Sequence, residues 1–129
     1  MALPKKIAGR QQEIMREFLA VLDNHLEDIL AGSVDEMYHI KDVARVMFIH
    51  PTHLSNTIKE LTDKSPCFFF EEKIMDISRN MLANTSLSIA DIARKLTYDT
   101  SNFTKFFKRF EGVTPSVYRA QTREIVLAE

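Results

Sequence analysis

Hydrogen-bonding and basic side chains alternate with phenylalanines in the run DTSNFTKFFKRF, residues 99–110. Its four phenylalanines recur at helical spacing, which predicts one helix with a buried aromatic stripe. The opposite face offers hydroxyl, amide and cationic groups, supplied by Thr100, Ser101, Asn102, Thr104, Lys105, Lys108 and Arg109. Groups of this kind donate hydrogen bonds to base edges and to phosphate oxygens. The chemistry that the pattern indicates is therefore contact with a nucleic acid.

A second short helix is needed to hold this face in place. The run Ile89 to Leu96 predicts such a helix, and Thr97-Tyr98 predicts a tight break after it. Asp99 is a good N-cap for the helix that follows, because its side chain can accept hydrogen bonds from the free N–H groups in the first turn of that helix. Two short helices joined by a turn of three to four residues, the second polar and basic outside, predict a helix-turn-helix.

The same pattern occurs earlier in the chain, at an offset of 49 residues. Identical residues recur in the pairs Ile40/Ile89, Asp42/Asp91, Ala44/Ala93, Arg45/Arg94, Lys59/Lys108 and Pro66/Pro115. Apolar positions also match apolar ones, as expected if each copy buries the same face of the same helix pair. We therefore predict a first helix-turn-helix, with Ile40 to Met47 as support and Pro51 to Leu61 as the recognition helix. Its inward residues should be Leu54, Ile58 and Leu61, which leaves Thr52, His53, Ser55, Asn56 and Lys59 outside.

The second copy carries a long motif of rigid spacing, from Ile89-Ala90-Asp91-Ile92-Ala93 through Phe107-Lys108 to the run of residues 114–119, TPSVYR. This motif resembles the DNA-binding domain of AraC/XylS-type bacterial transcription regulators. The resemblance implies an all-α fold of two helix-turn-helix subdomains joined by a connecting helix, here preceded by an extra N-terminal amphipathic helix. Thr97 departs from the family by standing where Gly is usual, and Asp63 stands where the second copy has Gly112.

Carried over position by position, the family pattern implies which side chains touch DNA. Base contacts then fall on Thr52, Asn56, Thr100, Ser101 and Lys105. We add Ser55 as a base contact, because it lies on the outer face of the first recognition helix. Phosphate contacts are expected at Lys59, Lys108, Arg109 and the helix start at Thr114, which suit phosphate. An Asn can pair bidentately with adenine and a Lys can donate to guanine. Lys59 and Arg109 have an alternative as solvated surface charges, and Arg45 and Arg94 have one as braces within their own units.

The expected organisation has five segments. They are residues 1–37, an N-terminal arm and amphipathic helix; 38–66, the first helix-turn-helix; 67–87, a connecting helix and loop; 88–123, the second helix-turn-helix with a final helix; and 124–129, a tail. The connecting helix is expected from Ser65-Pro66 to about Ala83, a rod of roughly 25 Å. We expect Met1 to Gly9 to be a frayed arm and the tail Gln121 to Glu129 to fray as well.

The helix expected from Arg10 to Ala31 has two interpretations. Its broad apolar face comprises Met15, Phe18, Leu19, Leu22, Leu26, Ile29 and Leu30. This face either packs onto its own domain or forms a homodimer, and the sequence favours the two equally.

Bulk composition limits the other possibilities. The net charge is −1, distributed as −3 over residues 1–37, +3 over 38–120 and −1 over 121–129. The basic excess therefore coincides with the two motifs. A single cysteine fits the cytoplasm, and no apolar run reaches membrane length. His50 and His53 lie three residues apart, but a zinc site is improbable without further ligands. No catalytic motif or cofactor-binding loop is present, so we expect neither an enzyme nor a cofactor.

The sequence as a whole predicts a sequence-specific DNA-binding transcription regulator that uses two helix-turn-helix motifs in successive major-groove segments. Its expected partners are double-stranded DNA, RNA polymerase and, through the N-terminal helix, a second copy of the chain. We expect either a small regulator or the DNA-binding fragment of a longer protein. The alternative is a protein-interaction module that retains the fold with weak or no DNA affinity, which the low pI near 6.4 favours.

Overall fold

The computed structural model describes the backbone of residues 5–128 and the side chains of residues 9–124. Over this part of the chain, every regular element is a helix. The seven helices are α1 (Lys5–Ala31), α2 (Ile40–Val46), α3 (Pro51–Thr62), α4 (Pro66–Asn84), α5 (Ile89–Lys95), α6 (Thr100–Glu111) and α7 (Pro115–Ala128). The predicted all-α class is therefore confirmed, and α2/α3 and α5/α6 are the two expected helix pairs.

Both ends of the chain are more helical than the sequence led us to expect. Helix α1 begins at Lys5 instead of Arg10, so residues 5–9 are not the predicted frayed arm, while residues 1–4 lie outside the described residues. Helix α7 continues to Ala128, through residues for which fraying was expected. Residues 5–9 contain no acidic residue and end on Gly9, which gave no local sign of a helix.

Capping residues fix the starts of four helices. Ser65, Ser88 and Asp99 each accept a hydrogen bond from a backbone N–H in the following first turn. Helix α3 has Pro51 at its first turn, and the imidazole Nδ1 of His50 accepts the N–H of Thr52 at 3.1 Å. These caps satisfy N–H groups that have no partner inside the helix. The turn lengths between the paired helices are thereby set by the sequence.

The core is continuous across both helix pairs, with α4 running through its middle. Helix α4 packs against α1, α3, α5 and α7, while α1 also packs against α2 and α3. At about 1.5 Å per residue, the 19 residues of α4 span roughly 28 Å. Its buried residues include Phe70, Ile74, Met75 and Leu82. One rod therefore contributes to the hydrophobic core beneath each helix-turn-helix.

The apolar face of α1 is used within the chain. Phe18, Leu22, Leu26 and Ile29 are buried, and Met15, Leu19 and Leu30 pack against the same core. Ile14 and His25, which the sequence did not nominate, are buried with them. Of the two interpretations of this face, packing onto its own domain therefore accounts for its apolar residues.

The prediction that Leu61 is a core residue was wrong. Leu61 is 37% exposed, whereas Thr57, which the sequence analysis assigned to neither face, is only 3% exposed. Helix α1 lies against the side of α3 that carries Thr57, which turns the buried face toward α1. Leu61, on the last turn of α3, falls beyond that contact.

Candidate nucleic-acid interface

An aromatic cluster fixes the second recognition helix, α6, against its supporting turn. Tyr98 stacks on Phe106 with ring centroids 5.5 Å apart, and Phe107 meets Tyr118 of α7 edge-on at 5.4 Å. Phe103 and Phe107 are fully buried. Burial raises the pKa of the Tyr98 hydroxyl, with a further contribution from the charge of Glu71. The predicted phenylalanine stripe is therefore the inner face of α6.

Asn102 serves the cap of α6. Its backbone N–H donates to Asp99 Oδ1 at 2.8 Å and its side-chain amide donates to Asp99 Oδ2 at 2.6 Å. An amide held in this way has fewer donors available for a base edge. The sequence listed this side chain on the outer face, and the structure gives it a capping role.

Four predicted contact residues form the outer surface of α6. Thr100, Ser101, Lys105 and Lys108 are all exposed. Within the described residues, none of the four makes a side-chain hydrogen bond or an ion pair. Their donors and charges therefore face solvent without an internal partner, on the side of α6 opposite its phenylalanines.

The other two predicted phosphate contacts of the second unit have internal partners. Arg109 Nη2 lies 3.7 Å from Glu71 Oε2 of α4, and the guanidinium lies over the Phe106 and Phe110 rings. Its side chain is still 68% exposed. Thr114 Oγ1 accepts the N–H of Val117 at 3.3 Å and so caps α7. Arg109 lies on the last turn of α6 and Thr114 lies between α6 and α7, so both are far from the first turn of α6.

The first unit presents a smaller basic surface. Thr52, Asn56 and Lys59 are exposed on α3, and Ser55 is half-buried. Lys59 is the only Lys or Arg on α3, whereas α6 carries three. The side of α3 next to Asn56 faces the first turns of α1 across a cleft, and the sequence analysis did not anticipate this neighbour.

Arg45 and Arg94 make the same local contact in the two copies. Arg45 Nη1 lies 3.6 Å from Asp42 Oδ1, and Arg94 Nη1 lies 2.9 Å from Asp91 Oδ1. The backbone N–H of His39 donates to Asp42 at 2.8 Å, and this hydrogen bond lowers the pKa of that carboxyl. The two arginines thus lie beside carboxylates of their own helices, α2 and α5, and both remain largely exposed.

Two side-chain contacts, one ion pair and one hydrogen bond, attach the recognition helices to the rest of the fold. Arg79 of α4 donates through Nε to Glu111 Oε2 at 2.7 Å, at the end of α6. Gln11 of α1 donates through Nε2 to Glu60 Oε2 at 2.7 Å, near the end of α3. Both contacts join residues far apart in the chain, so no local pattern could have predicted them.

The Nδ1 atom of His50 accepts the N–H of Thr52 in the α3 cap. Among the residues that the structure describes, no group of three or more His, Cys, Asp or Glu side chains could hold a metal ion. None of the helices between Lys5 and Ala128 combines the length and apolarity needed to cross a bilayer.

The geometry defines a class of protein: two helix-turn-helix units on one continuous core, each with an exposed polar recognition helix. A comparison with known protein families matches residues 43–121 to a helix-turn-helix domain. A relative from Bacillus subtilis strain 168, the HTH-type transcriptional regulator YtdP, is 33% identical over 105 residues, which cover 81% of this chain and 14% of that protein. The chain also spans about a third of the length of other curated relatives that it matches.

Solved structures agree with this class. A transcriptional regulator from Chromobacterium violaceum with an AraC-type DNA-binding domain has a TM-score of 0.72 at 21% identity, covering 89% of this chain and 96% of that one. The DNA-binding domain of AdpA, solved with a target DNA, has a TM-score of 0.63 at 17% identity, covering 78% and 94%. The chain belongs to the AraC-type helix-turn-helix family. It is a DNA-binding transcription-regulator domain, and this family is not an enzyme family.

Proposed function

We propose that α3 and α6 enter successive segments of the major groove of one DNA duplex and contact its bases there. The observation that carries this proposal is the outer face of α6, where exposed hydroxyl and cationic side chains have no internal partner. The roughly 28 Å rod of α4 supports it, because such a length can hold two recognition helices about one turn of B-DNA, roughly 34 Å, apart.

Roles for single residues follow from their positions on the two helices. We assign base contacts to Thr100, Ser101 and Lys105 in the second unit, all on the first half of α6, which is the part of a recognition helix that meets base edges. The corresponding base contacts of α3 are assigned to Thr52, Ser55 and Asn56. Phosphate contacts are assigned to Lys59, Lys108, Arg109 and Thr114, since these residues lie on the later turns or after them.

The second unit should contribute more binding free energy than the first. Its recognition helix has three basic residues against one on α3, and phosphate neutralisation supplies much of the affinity for DNA. Because the two outer faces differ in sequence, a single chain would recognise an asymmetric site.

The test begins by selecting bound duplexes from a randomised pool with the full chain. Two preferred sequence blocks about ten base pairs apart are expected in the winners. Lys105→Ala should then weaken binding to the selected site by about 1–3 kcal/mol and relax the preference at one base pair. Lys95→Ala is the matched control, because Lys95 is an exposed lysine on α5 and not on a recognition helix.

Two results would contradict these assignments. Equal weakening by both substitutions would show a general charge effect without a base contact at Lys105. The absence of any preferred sequence block would refute sequence-specific recognition itself.

Partners beyond DNA belong to the whole regulator and are proposals here. RNA polymerase is proposed because regulators of this class act on transcription, and the bacterial cytoplasm is the location where both would be met. A homodimer through α1 is the other proposed partner, although the apolar face of α1 is buried within the chain. Light scattering across a range of concentrations tests it: a mass near 14.9 kDa throughout would remove the dimer.

A further inference from the structure

A cleft of about 450 Å³ lies between the start of α1 and the recognition helix α3. Its lining comes from both helices: Arg10, Gln11 and Ile14 on α1, and His53, Asn56, Thr57 and Glu60 on α3. Asn56 is exposed and is one of the assigned base contacts, so the cleft adjoins the proposed DNA surface of the first unit.

Direct contacts hold the two sides of this cleft together. Gln11 Nε2 donates to Glu60 Oε2 at 2.7 Å. Ile14, one turn further along α1, is 1% exposed and anchors this part of the helix in the core. The Gln11 amide and the Ile14 side chain therefore fix the position of Arg10 relative to α3.

The first turns of α1 are more basic than the neighbouring helix α3. Helix α3 has a single basic residue, Lys59, followed by the acidic Glu60. Helix α1 carries three basic residues before its first acidic one, Glu13. Of these three, Arg10 has a side chain that the structure describes, and it lines the cleft. Helix α1 therefore places a basic charge beside α3 on this side.

Arg10 is available for an additional partner. Its side chain is 63% exposed, and its Nη1 lies 3.3 Å from Glu13 Oε2, which is also largely exposed. Exposed ion pairs of this kind are worth little, so exchanging this contact for a phosphate costs little. The planar guanidinium also suits phosphate, because it can donate two parallel hydrogen bonds to its oxygens.

We propose that Arg10 contacts a DNA phosphate beside the bases assigned to Asn56, so that α1 completes the DNA surface of the first unit. This inference rests on the proposed function, since it requires α3 to lie in the major groove. The phosphate contact positions the first unit and carries no sequence preference of its own.

The experiment compares Arg10→Ala, Arg10→Lys and Arg16→Ala in the full chain, using salt titrations of binding to the selected duplex. Arg16 is the matched control, because it is an exposed arginine on α1 that does not line the cleft. Loss of one phosphate contact should reduce the slope of log K against log salt by about 0.9, which is roughly an eightfold loss of affinity at 0.1 M salt. Arg10→Lys should retain most of the slope, since it keeps the charge.

Arg10→Ala should also weaken binding to unrelated duplexes by a similar factor, as expected of a phosphate contact. Equal thermal unfolding midpoints for the variants will show that the changes do not come from folding. The inference is overturned if Arg10→Ala and Arg16→Ala have the same slope as the unsubstituted chain while Lys105→Ala weakens binding. If the unsubstituted chain selects no duplex, the proposed function itself has failed.

Discussion

Left-handed backbone conformations occur at matching positions in the two copies. Phe48 (φ 56°) and Thr97 (φ 66°) occupy the same turn position, 49 residues apart, and Asp63 (φ 62°) and Gly112 (φ 87°) occupy the same helix C-cap. The geometry of both sites is thus set by the fold, although only one of the four residues is Gly. Replacing Thr97 or Phe48 by Gly should raise the free energy of unfolding.

The magnitude follows from the backbone and from exposure. A left-handed conformation costs an L-residue roughly 1–2 kcal/mol, while Gly brings an entropic cost of roughly 0.5–1 kcal/mol. Thr97 is exposed and Phe48 is 97% exposed, so truncation removes little buried area. A net gain of about 0.5–1 kcal/mol is expected for each. Asp63→Gly should gain less, because Asp tolerates this region better than Thr or Phe.

The reverse change at the second C-cap provides a matched control. A Cβ added at Gly112 would meet no heavy atom within 4 Å, so Gly112→Ala tests the backbone alone. It should lower the free energy of unfolding by about 1 kcal/mol. Ala120→Gly, on an exposed position within α7, should lower it by about 1 kcal/mol for the separate reason that Gly is a poor helix residue.

Urea unfolding followed by circular dichroism measures these differences, with an unchanged m-value required of each variant. The reasoning is refuted if Thr97→Gly and Phe48→Gly are no more stable than the unsubstituted chain. A neutral Gly112→Ala would refute it as well, since the left-handed conformation would then carry no cost.

Two further predictions concern the core. Phe107→Ala should lower the free energy of unfolding by about 3–5 kcal/mol, because this ring is fully buried between Phe103 and Tyr118; a change below 1 kcal/mol in urea unfolding would contradict that packing. His25 Nε2 accepts the N–H of Tyr38 at 2.9 Å, and burial lowers the pKa of the imidazole below 6.5, against the opposing charges of Asp28 and Asp42. The His25 imidazole binds a proton at a higher pH in the unfolded state than in the folded state. The free energy of unfolding should therefore be highest above about pH 6.5 and should fall as the pH drops through the lowered pKa. His25→Leu should be less stable at pH 7.5 but lose less between pH 7.5 and 5.5, and equal losses in the two proteins would count against this role.

Much of the fold could be predicted because its signals are local. The starts of α4, α5 and α6 follow from the capping residues Ser65, Ser88 and Asp99, and α3 and α4 also have Pro at the first turn. The two helix pairs follow from apolar spacing, which each copy repeats. Thr97 and Asp63 stand where Gly was expected, and both adopt a left-handed conformation. The start of α1 lacked such a signal and was placed five residues too late.

The residues of the candidate site could likewise be predicted only in part from the sequence. Exposed residues of α6 could be chosen from the sequence because its four phenylalanines leave one polar face. The buried face of α3 was partly misjudged, since Thr57 took the place of Leu61. Asn102 and Arg109 also contact Asp99 and Glu71 within the chain, which limits how freely they can contact DNA. The outer-face pattern of the sequence does not identify these partners.

The sequence by itself determined that two similar helix pairs exist and which face of each is apolar. The reason is that helical periodicity and capping act over four to seven neighbouring residues. Only the tertiary structure decided that α1 lies along α3, bringing Arg10 next to Asn56 through the contact between Gln11 and Glu60. That arrangement depends on how the surfaces of distant helices fit together around one core, and no short stretch of sequence contains it.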